Sequence, residues 1–330
     1  MEKDCFQDFS NLENLTIDLR NIEKSESISF EHFNLNKLKE LDLGKNQIEK
    51  IEFNEFKGLE NLEELYLWNN KLFKIESNSF QNLNKLKKLY LNENQVEKIE
   101  LNAFKGLDNL EELHLWSNKL IKIESNSFQH LNKLKKLNLD WNNIEKIELN
   151  GFQYLKNLEE LSLYRNELKK IELNSFQHLN KLMVLDLQWI NIEKIEPNGF
   201  RGLDLLEELN LNRNKLIKIE SDSFRHLNKL KRLYVNHNEI ENIELNAFQG
   251  LENLEQLDLG RNKLVKIESN SYRNLKKLKK LDLSNNQINE IDVFGFHSLD
   301  NLEELHFKGN HLAKIELNLI QQIIKIRVLK

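Results

Sequence analysis

Residues 62–85 read LEELYLWNNKLFKIESNSFQNLNK, and residues 86–109 read LKKLYLNENQVEKIELNAFKGLDN. Both segments have leucine at repeat positions 1, 4 and 6, asparagine at position 9 and phenylalanine at position 19. The frame recurs every 24 residues, and its twelve repeats open at Leu38, Leu62, Leu86, Leu110, Leu134, Leu158, Leu182, Leu206, Leu230, Leu254, Leu278 and Leu302. Self-similarity at this period is the signature of a stacked array of repeats. The seven-residue period of a coiled coil is absent.

The leucines of each repeat predict a half-buried strand. Leu65 and Leu67 alternate with polar or aromatic residues, and a period of two places them on one face of a strand. One repeat cannot bury these leucines alone, so neighbouring repeats must stack and share a core. The strands are therefore expected to run parallel at a spacing of about 4.8 Å.

Two further rows of side chains are predicted to lie inside the stack. An amide both donates and accepts, so asparagines at position 9 can satisfy the backbone groups of the turns. This row contains Asn46, Asn70, Asn94, Asn118, Asn142, Asn166, Asn214, Asn238, Asn262, Asn286 and Asn310. An aromatic row at position 19 contains Phe56, Phe80, Phe104, Phe128, Phe152, Phe176, Phe200, Phe224, Phe248, Tyr272 and Phe296. Both rows are interpreted as structural.

These leucine, asparagine and phenylalanine positions resemble the leucine-rich-repeat family, specifically its 24-residue class with phenylalanine in the convex-side segment. The resemblance covers nearly the whole chain. It implies an α/β leucine-rich-repeat solenoid, a curved horseshoe with a concave parallel β-sheet and a phenylalanine spine on the convex side. In that family the inner sheet usually binds proteins. The same class builds the ectodomains of Toll-like receptors, Slit-type guidance proteins and small proteoglycans, which usually carry cysteine-rich caps.

Three segments are predicted from the frame. Residues 1–37 form an irregular N-terminal repeat or partial cap, residues 38–325 form the twelve repeats, and residues 326–330 begin a thirteenth. The array thus begins and ends inside a repeat, and the last segment offers no polar outer face of the kind that terminal repeats normally need. Either the chain is a fragment of a longer protein, or its ends meet something. An apolar edge of this kind predicts end-to-end self-association through Leu317, Ile320, Ile323, Ile326 and Leu329.

Composition and charge exclude several classes of partner and leave the compartment open. The net charge is −5 with both signs interleaved, whereas a nucleic-acid partner would require a basic stripe. No segment reaches the roughly 18 apolar residues of a membrane span. A single cysteine, Cys5, and a start without an apolar signal favour the cytoplasm. The family resemblance favours an extracellular location.

The sequence predicts no enzyme, no cofactor and no metal site. It has no glycine-rich phosphate loop, and no acidic pair stands out from the repeat pattern. His130, His178 and His226 share one repeat position. They lie two repeats apart, about 10 Å at strand spacing, which is too far to share a zinc ion.

The charges at positions 2 and 3 give the array a longer period of 48 residues. Glu63-Glu64 and Glu111-Glu112 alternate with Lys87-Lys88 and Lys135-Lys136. Neighbouring strands then place opposite charges side by side, which stabilises the sheet by roughly 0.2–1 kcal/mol per pair. A solvated charge ladder that fixes register is the simplest interpretation.

The repeat at Leu182 departs from both the charge pattern and the asparagine pattern. Met183-Val184 replaces the charged pair, and Ile190, between Trp189 and Asn191, replaces the asparagine of position 9. Leu205 and the only proline, Pro197, follow in the same repeat. Two interpretations remain open, mutational drift and specialisation of a binding site.

The candidate site is the concave face, onto which the residues between and just after the leucines are expected to point. Exposed aromatic and arginine side chains dominate the energetics of protein interfaces. The predicted partner-binding residues are Tyr66, Trp68, Tyr90, Trp116, Trp141, Tyr164, Arg165, Val184, Trp189, Arg213, Tyr234 and His237. We expect the centre to lie between Trp116 and Trp189. A carbohydrate stacked on the aromatic rings is the alternative ligand, and mutual packing without a ligand is a third interpretation.

The function predicted from the sequence is a non-catalytic protein-binding module of the adhesion, receptor or scaffold type. Two alternatives remain. One is a structural array that associates with itself, and the other is the recognition arm of a larger protein.

Overall fold

A computed structural model describes residues 9–20, 30–292 and 294–311, which fall into two compact units, residues 1–162 and 163–330. Each unit is a stack of repeats with a parallel sheet along one side. Within these described ranges there is no α-helix. The segment that returns the chain to the next strand consists of turns and two-residue strands, and a left-handed residue at position 17 of the repeats from Asn54 to Asn270 interrupts any helix there.

In the first unit, seven three-residue strands form the sheet: β1 (Asn14–Thr16), β2 (Glu40–Asp42), β3 (Glu64–Tyr66), β5 (Lys88–Tyr90), β7 (Glu112–His114), β9 (Lys136–Asn138) and β11 (Glu160–Ser162). Four two-residue strands lie in the return segments: β4 (Lys74–Ile75), β6 (Lys98–Ile99), β8 (Lys122–Ile123) and β10 (Lys146–Ile147).

In the second unit, six strands form the sheet: β13 (Val184–Asp186), β15 (Glu208–Asn210), β17 (Arg232–Tyr234), β19 (Gln256–Asp258), β21 (Lys280–Asp282) and β23 (Glu304–His306). The two-residue strands of this unit are β12 (Lys170–Ile171), β14 (Lys194–Ile195), β16 (Lys218–Ile219), β18 (Asn242–Ile243), β20 (Lys266–Ile267) and β22 (Glu290–Ile291).

The parallel strands pair in register, repeat position against repeat position. Leu65 of β3 lies opposite Leu89 of β5, and Tyr66 lies opposite Tyr90. Leu89 and Leu91 are fully buried, whereas Tyr90 between them is half-exposed. The predicted alternation of the strands is confirmed, and one-residue slippage would move every leucine of a strand to the solvent side.

The aromatic row at position 19 is confirmed as part of the core. In the first unit its rings stack with centroids 6.0–6.4 Å apart, from Phe30 to Phe152. In the second unit they continue at 5.9–6.5 Å from Phe176 to Phe296, with Tyr272 inside the row. All of these rings are buried, so the row joins neighbouring repeats through direct ring-to-ring contact.

The asparagine row is also buried and hydrogen-bonded, as predicted. The Asn118 amide donates to the carbonyls of Leu91 and Leu115 at 2.9 and 3.0 Å, and its oxygen accepts the Val96 N–H at 2.9 Å. Each asparagine thereby links its own turn to the turn of the preceding repeat. Because an unpaired backbone group is costly to bury, these bonds hold the turns in place.

The return segments give the 48-residue period a structural basis. Their two-residue strands pair only within couples of repeats, β4 with β6, β8 with β10, β12 with β14, β16 with β18 and β20 with β22, among the residues described. The hydroxyls of Ser77, Ser125 and Ser221 donate to the carbonyls of Leu101, Leu149 and Leu245 in the partner repeat, at 2.6–2.7 Å. The two-residue strands and these serine hydrogen bonds therefore join the repeats in couples, while side chains such as His130, which bonds Asn102 at 3.1 Å, link one couple to the next.

At the irregular repeat, Ile190 is fully buried in the asparagine row. The N–H groups of Ile190 and Ile192 both donate to the Asn214 oxygen, at 3.1 and 3.0 Å. Asn191 adopts a left-handed backbone, with φ at 66°, and stays half-buried beside the turn. The next asparagine in the row therefore anchors this turn.

The first strand pairs with the second position by position, as the strands of the regular repeats do. Leu15 of β1 lies opposite Leu41 of β2, in agreement with the frame projected backwards from the regular repeats. Residues 312–330, with the apolar edge predicted to self-associate, lie outside the described residues. No helix of the described part is long and apolar enough to cross a membrane.

Candidate functional site

The outward-pointing side chains at repeat positions 3, 5, 7 and 8 form one surface on each unit, which we call the sheet face. Along position 3 the predicted charge ladder is present as ion pairs. Lys88 bonds Glu64 at 3.0 Å and Lys136 bonds Glu160 at 3.0 Å in the first unit, and Arg232 bonds Glu208 at 2.6 Å in the second. Because these pairs are partly exposed, each contributes at most about 1 kcal/mol.

In the first unit, position 5 of three adjacent strands holds a stack of rings. The centroids of Tyr66 and Tyr90 are 4.6 Å apart, and those of Tyr90 and His114 are 4.7 Å apart, with the planes nearly parallel. Burial in this stack raises the pKa of both tyrosines and lowers the pKa of His114. His114 was missed as a site residue, although its shared repeat position with the two tyrosines was visible in the sequence.

The tryptophans of the first unit differ in exposure. Trp68 is half-buried, because its ring covers Gly44 and leaves no space for a Cβ atom there, and the Lys45 ammonium lies 4.9 Å from the ring. Trp116 is half-buried, while Trp141 is 49% exposed. Trp68 and Trp116, which lie at position 7, are thus less exposed than Trp141 at position 8.

In the second unit, four predicted site residues meet in one cluster. The Trp189 ring lies between two guanidinium groups, 4.2 Å from that of Arg165 and 5.1 Å from that of Arg213. The Arg165 Nε–H also donates to the Tyr164 hydroxyl at 3.0 Å. Such contacts between cations and rings contribute about 0.5–1 kcal/mol each at exposed sites.

The remaining predicted residues of the second unit lie on the same sheet face at other positions. Val184 is half-buried at position 3, opposite Glu208 of the next strand. Tyr234 is half-buried at position 5, and burial raises its pKa. Burial also lowers the pKa of His237, and the positive charges of Arg213 and Arg261 lower it further.

The backbone at position 8 has a conformation that most side chains adopt only at an energetic cost. Its non-glycine residues all adopt a left-handed conformation, with φ between 51° and 57°. Position 17 is left-handed as well, and there the chain has asparagine or aspartate at each left-handed residue, from Asn54 to Asn270. These small polar residues tolerate the conformation best, whereas for a bulky side chain it costs roughly 1–2 kcal/mol. Position 8 nevertheless carries Trp141, Arg165, Trp189, Arg213, His237 and Arg261.

Family models match the chain from one end to the other. The BspA-type leucine-rich-repeat region matches residues 1–111 and 73–205, and a further leucine-rich-repeat model matches overlapping segments from 181–240 to 276–330. The chain is a leucine-rich-repeat protein. Repeats of this family commonly mediate protein–protein binding and are generally non-catalytic. No sequence among curated proteins matches the chain.

Solved structures with the same leucine-rich-repeat fold include chains of three complexes. A chain in the Drosophila Toll–Spatzle complex is 24% identical, with a TM-score of 0.81, and the match covers 90% of this chain and 40% of that one. A chain in the TLR13–ssRNA13 complex is 22% identical, with a TM-score of 0.62, and the match covers 92% of this chain and 61% of that one. A chain in the octameric complex of Latrophilin 3, Unc5D and FLRT2 is 25% identical, with a TM-score of 0.68, and the match covers 82% of this chain and 84% of that one. The chain thus spans well under two thirds of the Toll-complex chain.

The leucine-rich-repeat units also expose apolar side chains on the side opposite the sheet, a feature that the sequence reasoning missed. These residues alternate between position 12 of one repeat and position 16 of the next. They are Phe53, Phe73, Leu101, Ile121 and Leu149 in the first unit, and Leu173, Ile217, Leu245 and Val265 in the second, and all are exposed. Leu173 departs from the alternation, because it holds position 16 as Leu149 does in the repeat before it. The signal was present in the sequence as an apolar residue that changes position with the 48-residue period.

One carboxylate of the sheet face has a perturbed pKa. Burial raises the pKa of Asp258 to about 6, and the neighbouring Asp282 carboxylate adds to the rise. The folded state therefore holds this proton more tightly than the unfolded chain does. Stability falls as pH rises from about 4 to about 6, and the penalty is fully present above that range.

We therefore expect Asp258→Asn to raise the thermal midpoint near neutral pH and to leave it unchanged below about pH 4. An asparagine oxygen can still accept the Gly260 N–H that Asp258 accepts. Allowing for solvent screening, the gain is on the order of 1 kcal/mol. Thermal unfolding followed across this pH range checks it. Asp282→Asn should give a smaller gain with the same pH dependence, and a gain for Asp258→Asn that does not change with pH would contradict the argument.

Proposed function

We propose that this leucine-rich-repeat chain is a non-catalytic protein-binding module that uses its sheet face. The observation that carries the proposal is the content of position 8. In the repeats from Trp141 to Arg261 a left-handed backbone is occupied there by tryptophan, arginine or histidine, although asparagine, which holds the same position at Asn69 and Asn285, would fit it at lower cost. Residues retained against a local conformational cost are expected at functional sites. Tryptophan and arginine are also the residues that dominate the energetics of protein interfaces.

The similar structures support a protein partner of the adhesion, receptor or scaffold type. One is a complex of Toll with Spatzle, and another joins FLRT2 to Unc5D and Latrophilin 3. A third contains single-stranded RNA. For the present chain, the net charge of −5 and the ion pairs that neutralise position 3 favour a protein over a nucleic acid.

We expect Trp189→Ala to weaken a protein partner by about 2 kcal/mol, roughly thirtyfold in affinity, while the thermal midpoint changes little. The side chain is 41% exposed, so its removal leaves no cavity in the core. Affinity capture with the wild-type chain would supply the partner, and titration calorimetry would measure the loss. Trp141→Ala tests the first unit in the same way.

Ile217→Ala is the matched control, because this side chain is exposed on the side opposite the sheet. It should bind the partner with unchanged affinity. If the two tryptophan variants bind normally and Ile217→Ala does not, the sheet face is the wrong surface.

A further inference from the structure

Positions 7 and 8 of the second unit form a strip of the sheet face with positive charge. They hold Arg165, Arg213 and Arg261, and from residue 163 to residue 311 they contain no aspartate or glutamate. The corresponding positions of the first unit are mixed in sign, with Lys45, Glu93 and Asp140. The strip stands out in a chain whose net charge is −5.

Two of these arginines lack an acidic partner. Within the described residues, neither Arg213 nor Arg261 forms an ion pair, whereas Arg232 on the same face is paired with Glu208 at 2.6 Å. The ion-pair ladder therefore neutralises position 3 and leaves position 8 charged. A guanidinium group without a carboxylate retains its donors for a ligand.

The strip is held in place before any ligand arrives. The Trp189 ring is clamped between Arg165 and Arg213, and His237 lies between Arg213 and Arg261 in the order of repeats. Burial and the two flanking arginines lower the pKa of His237, which keeps it neutral and reduces repulsion within the strip. Side chains already fixed in one geometry lose less entropy when they bind.

We propose that this strip binds an acidic peptide segment of a protein partner through Arg165, Arg213 and Arg261. The inference rests on the proposed function and specifies the chemistry of the partner. The planar guanidinium group matches a carboxylate in a two-point hydrogen bond. Arg213 and Arg261, which form no ion pair among the described residues, give the strip its specificity for acidic residues.

The spacing of the arginines defines the peptide further. They occur in every second repeat, so neighbouring ones are separated by two strand spacings, about 9.6 Å. A polyproline II helix has three residues per turn and rises 3.1 Å per residue, so residues i and i+3 lie on one side about 9.3 Å apart. Glutamates at every third residue of such a segment match the strip.

A single-stranded nucleic acid fits the strip less well than a peptide. Bases bind by stacking on exposed aromatic faces, but at the Trp189 ring they would compete with the guanidinium groups of Arg165 and Arg213, which lie 4.2 and 5.1 Å from the ring centroid.

The test uses the full chain and a fluorescent peptide, Glu-Pro-Pro-Glu-Pro-Pro-Glu. We expect measurable binding that Arg213→Gln with Arg261→Gln weakens at least about tenfold. Arg201→Gln with Arg225→Gln removes the same charge from exposed residues away from the sheet face and should leave affinity within about twofold. The same peptide with glutamine in place of glutamate should not bind.

Several results would overturn the inference. They are no binding at millimolar peptide, an equal loss in both arginine pairs, equal binding when the glutamates are moved to every second residue, or tighter strip-dependent binding of oligouridylate. The protein-binding module is tested separately by the captured partner. If Trp189→Ala weakens binding of that partner while the peptide does not bind the wild-type chain, the protein-binding function stands and only the acidic-segment inference is rejected.

Discussion

Phe128→Ala is expected to lower the free energy of unfolding by about 3–5 kcal/mol, which is the usual cost of deleting a fully buried phenylalanine. The Phe128 ring has no exposed surface and stacks on Phe104 at 6.3 Å and on Phe152 at 6.0 Å. Its loss therefore removes two ring contacts as well as buried area and leaves a cavity between repeats. Denaturant unfolding measures the change.

The repeats should share the effect, because each one contacts only its neighbours and stability depends on those interfaces. Hydrogen exchange should quicken in the repeats of Phe104 and Phe152 and not near Phe30. Phe73→Ala is the matched control, since that ring is exposed on the side opposite the sheet and its loss should cost well under 1 kcal/mol. A variant of Phe128 with an unchanged denaturation midpoint would show that the aromatic row is not needed for cohesion.

The core could be predicted from the sequence because it follows from periodicity. A residue that must be buried in every repeat recurs every 24 positions, as Leu65, Asn70 and Phe80 do, and only one stacking register buries all of them. The return segment could not be predicted to the same detail. Its two-residue strands, such as β4 and β6, depend on hydrogen bonds between backbone groups, and these leave no residue pattern beyond the alternation of serine and leucine at position 16.

The candidate site was predicted in part, for a related reason. Outward-pointing positions follow from the strand alternation, so the surface that carries Trp189 and Arg213 could be inferred. The contacts that each of these side chains makes with its neighbours could not be inferred. Whether a tryptophan covers its neighbour, as Trp68 covers Gly44, or stays exposed, as Trp141 does, depends on the direction of the side chain at positions 7 and 8. The predicted centre between Trp116 and Trp189 involves residues of both units and stays a prediction.

The asparagine row explains how the repeat at Leu182 keeps its turns while one member is isoleucine. In a regular repeat the position 6 carbonyl accepts hydrogen bonds from two asparagines, its own and that of the next repeat, as the Leu91 carbonyl does from Asn94 and Asn118. The Leu187 carbonyl at the break keeps the amide of Asn214 at 2.8 Å, although Ile190 cannot donate to it. The carbonyl before the break, that of Leu163, keeps Asn166 at 2.9 Å. A single gap is tolerated because its neighbours on both sides are intact.

Replacing two neighbouring asparagines of the row should destabilise the chain more than replacing one. The Leu115 carbonyl accepts only from Asn118 and Asn142 among the described residues, at 3.0 Å from each. Asn118→Leu alone leaves one N–H, that of Val96, without its acceptor, and we expect it to cost about 2–3 kcal/mol. Asn118→Leu with Asn142→Leu also leaves the Leu115 carbonyl without a donor, and the double variant should cost about 1–3 kcal/mol more than the two single variants together.

The control pair is Asn70→Leu with Asn118→Leu, two repeats apart. Asn70 donates to the carbonyls of Leu43 and Leu67, so this pair shares no acceptor and its costs should add. Denaturant unfolding of the three single and two double variants against the wild type measures both sums. Strict additivity in the adjacent pair would show that shared carbonyls do not couple the turns.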